Sequence, residues 1–143
     1  MKIKPIILDR IQTRHTNYLV DLRLNSNITF ITGDSGTGKS AVFSILEEYS
    51  SEDKRIRCFN YMDHNKGYKV SIRNSKKKLF VIDNADILLD DKMRQHIAVD
   101  TSNQYIIIGR NPTGLLLMQD EIYELSYSNE GGIIVFTLAK AFL

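Results

Sequence analysis

Ile28-Thr29-Phe30-Ile31-Thr32-Gly33-Asp34-Ser35-Gly36-Thr37-Gly38-Lys39-Ser40 decides how the rest of this chain is read. Its first five residues are β-branched or aromatic and end at a glycine, the pattern of a buried central strand. The remaining eight satisfy G-x-x-x-x-G-K-[ST] at every specified position. At average residue frequencies, a random chain of this length would contain such a match about 0.5% of the time. The position between an apolar strand and a helix lowers that further. The glycines let the backbone wrap a phosphate with N–H groups turned inward. A helix starting near Lys39 adds its positive end. Lys39 would place a point charge on the β and γ phosphates, and Ser40 would ligate magnesium. Gly33, Asp34, Ser35, Gly36, Thr37, Gly38, Lys39, Ser40 and Ala41 form the expected phosphate-binding set. The competing reading is a glycine turn that caps an ordinary helix.

Outward from this loop, the chain reads as alternating elements. Residues 3–9 alternate loosely and read as a strand. Tyr18, Val20, Leu22 and Leu24 alternate more cleanly, with the polar residues 14–17 as the turn before them. Val42, Ile45, Leu46 and Tyr49 fall at helical spacing and predict a helix over 39–49. Residues 56–59 and 68–72 are short strand candidates. Leu79-Phe80-Val81-Ile82 and Tyr105-Ile106-Ile107-Ile108 are continuous apolar runs and read as buried strands. Asp90-Asp91 can cap a helix in which Met93 and Ile97 share a face. Residues 122–127 and 133–139, joined across Gly131-Gly132, carry a hairpin signal. Strands alternating with helices through the middle argue for an α/β sheet that is mostly parallel, with antiparallel hairpins at both termini. The 143 residues are expected to form a single nucleotide-binding domain.

The glycine loop resembles the Walker A motif of the P-loop NTPase superfamily. The resemblance implies a three-layer αβα fold with a nucleoside triphosphate and Mg2+ as ligands. In that superfamily an apolar strand ends in a magnesium-binding aspartate, the Walker B motif. Leu79-Phe80-Val81-Ile82-Asp83 has this form, with Asp83 lying 44 residues beyond Lys39. Many ATPases of this type carry a glutamate next, which polarises the attacking water. Here the residue is Asn84, which can hydrogen-bond a water but cannot accept its proton, so slow hydrolysis is expected. Asp86 substitutes as a base if the turn brings it inward; the alternative is an N-cap of the following element. Tyr105 to Pro112 resembles the sensor-1 segment of AAA-type ATPases, with Arg110 or Asn111 as the group sensing the γ-phosphate. Arg110 suits charge stabilisation in phosphoryl transfer. The plain alternative is a surface arginine and a turn asparagine before proline. The expected catalytic set is thus Lys39, Asp83, Asn84, Asp86, Arg110 and Asn111, with Ser40 and Asp83 on the metal.

ATP is favoured over GTP, because no N-K-x-D motif is present to read guanine. The strands leading into the loop are similar to the opening of ABC and RecF-type ATPases. The signature motif and long helical insertion of those families are absent, so their dimer mechanism does not carry over. The resemblance covers about residues 28–111 and leaves the family open. Two function classes follow. One is an ATP-binding protein with slow Mg-dependent hydrolysis; the other is a nucleotide-dependent binding module with no significant turnover.

Composition frames these readings. The chain is 43% hydrophobic and 25% charged, the balance of a globular protein. Its longest apolar runs are too short to span a bilayer and no signal-peptide core follows Met1, so a cytoplasmic protein without a membrane partner is expected. Cys58 is alone and cannot form an internal disulfide. His15, His64 and His96 are scattered and read as surface residues. Charge is uneven: residues 54–78 hold nine basic side chains against Asp63 alone, whereas residues 79–143 hold four basic and nine acidic. Such a segment fits nucleic acid or an acidic protein, or else a solvated rim of lysines along edge strands. A homo-oligomer, with an arginine reaching a neighbour's site, is a further expectation.

Overall fold

The computed structural model describes residues 3–33, 36, 38–64 and 66–142. Its elements in chain order are β1 (Arg10–His15), β2 (Tyr18–Arg23), β3 (Ile28–Thr32), α1 (Lys39–Ser50), β4 (Ile56–Phe59), α2 (Tyr68–Asn74), β5 (Leu79–Ile82), α3 (Ala85–Leu88), α4 (Asp91–Val99), β6 (Gln104–Ile108), β7 (Ile122–Glu130) and β8 (Ile133–Lys140). A 3-10 turn over Tyr61–Asp63 follows β4, and another over Gln119–Glu121 precedes β7.

All eight strands join one sheet in the order β1-β2-β8-β7-β3-β6-β5-β4. β3, β6, β5 and β4 run parallel to one another. Their apolar runs reflect burial on both sides, with alternate residues going to different cores. Ile31, Val81, Ile106 and Ile108 enter the first core, packed with Val42, Phe43, Ile45 and Leu46 of α1. Phe30, Phe80, Ile82, Tyr105 and Ile107 enter the second, beneath residues of α2, α3 and α4.

This architecture corrects the expectation of a three-layer αβα P-loop fold around a mostly parallel sheet. The sheet is mixed, its eight strands among the described residues form a half-barrel, and helix accounts for only 28% of those residues. The two antiparallel pairs cause the difference. β1 pairs with β2 and β7 with β8, yet these hairpins do not terminate opposite edges of a parallel core. They join each other through β2 and β8, and β7 then lies along β3. Half of the strands therefore lie on one side of β3. Ile11, Val20 and Leu22 from the first hairpin and Phe136 from the second share a core with α1. A curled sheet thus encloses that helix.

Three local expectations also change. Residues 3–9 form no strand; the N–H groups of Ile7 and Leu8 both bond Oε1 of buried Gln104, at 2.9 Å each, in place of a ladder. The first turn narrows to Thr16-Asn17, with Thr16 in the left-handed region at φ 52°. Residues 68–72 are helical, because Tyr68 and Ile72, four apart, both face the second core. The Tyr68 hydroxyl donates to the Leu88 carbonyl at 2.6 Å and fixes α2 against α3. No helix among the described residues is long and apolar enough to cross a membrane.

Ile107 is fully buried on β6, which pairs with both β3 and β5. Ile107→Ala is expected to lower unfolding free energy by about 2–5 kcal/mol, seen as a fall in the urea midpoint. Ile87→Ala, on the exposed side of α3, is expected to stay within about 0.5 kcal/mol of wild type.

Candidate functional site

Three adjacent strands, β3, β6 and β5, end side by side, so the loops that follow them are neighbours. From β3 the chain passes to α1 on the first core, whereas from β5 it passes to α3 and α4 on the second. Loops leaving in opposite directions open a crevice beyond the carboxyl ends, the usual ligand position in such sheets. A cavity of about 470 Å³ lies there, lined by Gly36, Gly38, Lys39, Ser40, Ala41, Asp83, Asn84, Asp86, Ile108, Gly109 and Arg110. It thus brings together most of the residues singled out in the sequence. Asp34, Ser35 and Thr37 lie outside the described residues. Gly33 ends β3 just behind the loop, and its carbonyl accepts a hydrogen bond from Lys39 Nζ.

Gly38 is the N-cap of α1 at φ 97°, contributes no capping side chain, and the first turn holds no acidic residue. Gly38 itself thus offers the leading amides of this twelve-residue helix no side-chain acceptor, and the helix dipole points its positive end at the cavity. Glycine is required at 38 for a second reason: a Cβ there would sit 2.6 Å from Phe136 Cε1 on β8. The C-terminal hairpin thus presses on the loop, a contact with no local signal in the sequence.

Asp83 is half-buried at the end of β5. Burial pushes its pKa above the ordinary carboxylate value, against the Asn84 N–H bond (2.8 Å) and the charge of Lys39, which pull it down. Asn84 takes the left-handed conformation, φ 53° and ψ 44°, which asparagine tolerates better than most residues. Its Oδ1 accepts from Tyr61 N–H at 3.1 Å, tying the turn after β4 to the rim of the cavity.

Asp86 lines the cavity and also braces the loop after β6. Its Oδ2 accepts from Arg110 N–H at 2.8 Å and its Oδ1 from Asn111 N–H at 3.0 Å. Both oxygens are therefore committed to holding the loop after β6. Arg94 completes this brace. Its buried guanidinium donates to the carbonyls of Leu89 (3.2 Å), Asn111 (2.6 Å) and Thr113 (2.7 Å) and lies 3.7 Å from Asp86. Asn111 turns away from the cavity: its Oδ1 accepts from Thr113 N–H (3.0 Å) and Thr113 Oγ1 (2.5 Å), an Asx turn. The exposed Arg110 is the side chain this loop presents to the cavity. Arg94, on the buried side of α4, carried no sequence signal, since only the fold places it under the loop. Gly109 is needed for close packing, because a Cβ there would lie 3.1 Å from that of Ala85.

Comparison of the chain with protein-family models, curated proteins and solved structures yields no match.

The folded state holds the Asp83 proton more tightly than an unfolded chain would. Its contribution to stability is therefore fully present below the ordinary value of 3.8 and is lost as pH rises through the raised folded value. Asp83→Asn is expected to raise Tm at about pH 7 and to flatten the decline above about pH 4, measured by calorimetry across that range. Arg94→Met should remove the brace and leave buried carbonyls unpaired, lowering stability by about 1–3 kcal/mol in denaturant titration.

Proposed function

We propose that this chain binds ATP with Mg2+ in the cavity beyond β3, β6 and β5 and hydrolyses it slowly. One observation carries this reading: the glycine loop, the carboxylate Asp83 and the cation Arg110, far apart in sequence, line one cavity. The amides at the start of α1 and the Lys39 ammonium would hold the phosphates. The Ser40 hydroxyl and the Asp83 carboxylate are hard oxygen donors, the kind magnesium takes alongside substrate phosphates. A cation near Asp83 also offsets the desolvation that raises its pKa. The bound metal would neutralise charge on the phosphates, while Arg110 supplies positive charge from the opposite loop.

Slow turnover follows from Asn84 beside Asp83, because an amide cannot accept a proton. Each oxygen of Asp86 already accepts a backbone amide, which weakens it as a base. That occupancy favours a second reading, a nucleotide-held module without significant turnover. ATP is preferred to GTP because no guanine-reading N-K-x-D motif occurs in the sequence. A reducing, cytoplasmic setting fits the single half-buried Cys58, whose thiol burial pushes up to about 12.

Calorimetric titration of ATP and GTP with magnesium tests the proposal, with phosphate release followed in parallel. Wild type is expected to bind ATP, and Lys39→Ala to bind at least about tenfold more weakly. Release slower than about 1 s⁻¹ would place the chain below ordinary enzymes, and none would select the module. Release per molecule that rises with protein concentration would point to an arginine from a neighbouring copy. Failure of both nucleotides to bind would overturn the reading.

A further inference from the structure

At the opposite end of the sheet, where β4, β5 and β6 begin, a second cavity of about 530 Å³ is lined by Ile6, Ile7, Arg55, Lys76, Lys77, Thr101 and Ser102. We propose that it is a binding site for the sugar-phosphate backbone of single-stranded nucleic acid. The inference goes beyond the nucleotide reading and does not depend on it.

The cavity is framed by two consecutive buried amides at the start of β6. Asn103 Nδ2 donates to the Ser75 carbonyl at 2.8 Å, and its Oδ1 accepts from Lys78 N–H at 3.0 Å. These two bonds clamp the ends of a turn from which Lys76 and Lys77 project. Lys77 is held in the left-handed region at φ 60°, and its N–H donates to the Ser102 carbonyl at 2.7 Å. Such a conformation persists for a lysine only where the surroundings impose it. On the other wall, Gln104 Oε1 accepts from the N–H groups of Ile7 and Leu8, and its Nε2 donates to the Leu8 carbonyl at 2.8 Å. Asn27 Oδ1 adds a bond from Ile6 N–H at 3.2 Å. Both walls are thus fixed by interior polar groups, and the lysines between them are exposed.

The chemistry of the lining selects the ligand. Neither Lys76 Nζ nor Lys77 Nζ has a side-chain partner among the described residues, whereas Arg55 is paired bidentately with Asp53 (2.7 and 3.0 Å). Asp100, the nearest carboxylate in sequence to this lining, turns inward to Ser102 N–H, Asn103 Nδ2 and the Tyr105 hydroxyl, and does not neutralise the lysines. Lys54 and Arg57, exposed on and beside the edge strand β4, line a separate cavity with Glu47. Two unneutralised cations beside serine and threonine hydroxyls suit successive phosphates, and Ile6 and Ile7 offer apolar contact to a sugar. Without an aromatic residue in the lining there is no stacking platform, so binding should follow the backbone and ignore base identity. A cavity in the size range of small-ligand sites accepts a strand rather than a duplex.

Fluorescence anisotropy with labelled single-stranded DNA and RNA of about 20 nucleotides, in the absence of ATP, tests the assignment. Wild type should bind both, with affinity falling linearly in log salt. Lys76→Ala combined with Lys77→Ala should weaken binding about tenfold or more near 50 mM salt and reduce the slope by about 1.4, at ~0.7 for each phosphate contact. Lys92→Ala combined with Lys140→Ala removes the same charge from other exposed positions and should change affinity less than about twofold. Lys39→Ala should bind like wild type, which separates this site from the nucleotide cavity. The assignment is overturned if wild type binds neither probe. It is equally overturned if the two double variants lose affinity alike, or if poly-glutamate displaces the strands as readily as unlabelled nucleic acid does.

Discussion

The parallel pairing of β6 with both β3 and β5 is the constraint on which the rest of the molecule depends. These strands are only four or five residues long, so a one-residue slip would send their apolar side chains into the wrong core. In the observed register Phe30, Phe80, Tyr105 and Ile107 fill the core below, and Ile31, Val81 and Ile106 the core above. The same register fixes where the strands stop. Gly33, Asp83 and Gly109 follow β3, β5 and β6 directly, which is why their loops meet at one cavity. At the other end it aligns the starts of β5 and β6, bringing Lys77 to Ser102. Packing of the interior thereby places polar groups at both ends of one sheet.

Interior polar residues then convert this placement into defined loops. Asp86 and Arg94 hold the segment after β6, while Asn103 and Gln104 hold the segments before β5 and β1. Each bonds backbone groups of a loop that has no ladder partner of its own. A buried amide or guanidinium is costly unless satisfied, so these residues stabilise only one loop arrangement. The loops are accordingly parts of the scaffold at both cavities. Asp83 is the exception at the first cavity, a half-buried carboxylate whose burial works against its charge. Burying a carboxylate in that way is at odds with stability alone.

Much of the local structure was readable before any contact was known. The glycine loop, the strand before it and the helix after it follow from glycine spacing, β-branched residues and a 3.6-residue period. Asp90 caps α4 through Met93 N–H, as its position before an amphipathic stretch predicts. Reading failed where a distant partner replaced a local preference. Residues 3–9 look like a strand, yet Gln104 takes up the backbone groups of Ile7 and Leu8. Residues 68–72 look extended, but Tyr68 gains a bond to Leu88 and a place in the second core by coiling. Asp86 pairs with the amides of Arg110 and Asn111, more than twenty residues away, which no local pattern shows.

By itself the sequence determined the elements with strong periodicity and the start of α1 at Lys39, because those depend on neighbours within a turn or a strand. Only the tertiary structure decided that both hairpins lie on the same side of β3, making a mixed, curled sheet instead of a layered parallel one. It alone decided that Phe136 presses on Gly38, that Arg94 lies beneath the loop of Arg110, and that Lys76 and Lys77 share a cavity with Arg55. The physical reason is common to all of these. Strand order and the pairing of buried polar groups are settled by which surfaces can be desolvated together, and that depends on residues from separate parts of the chain meeting in space.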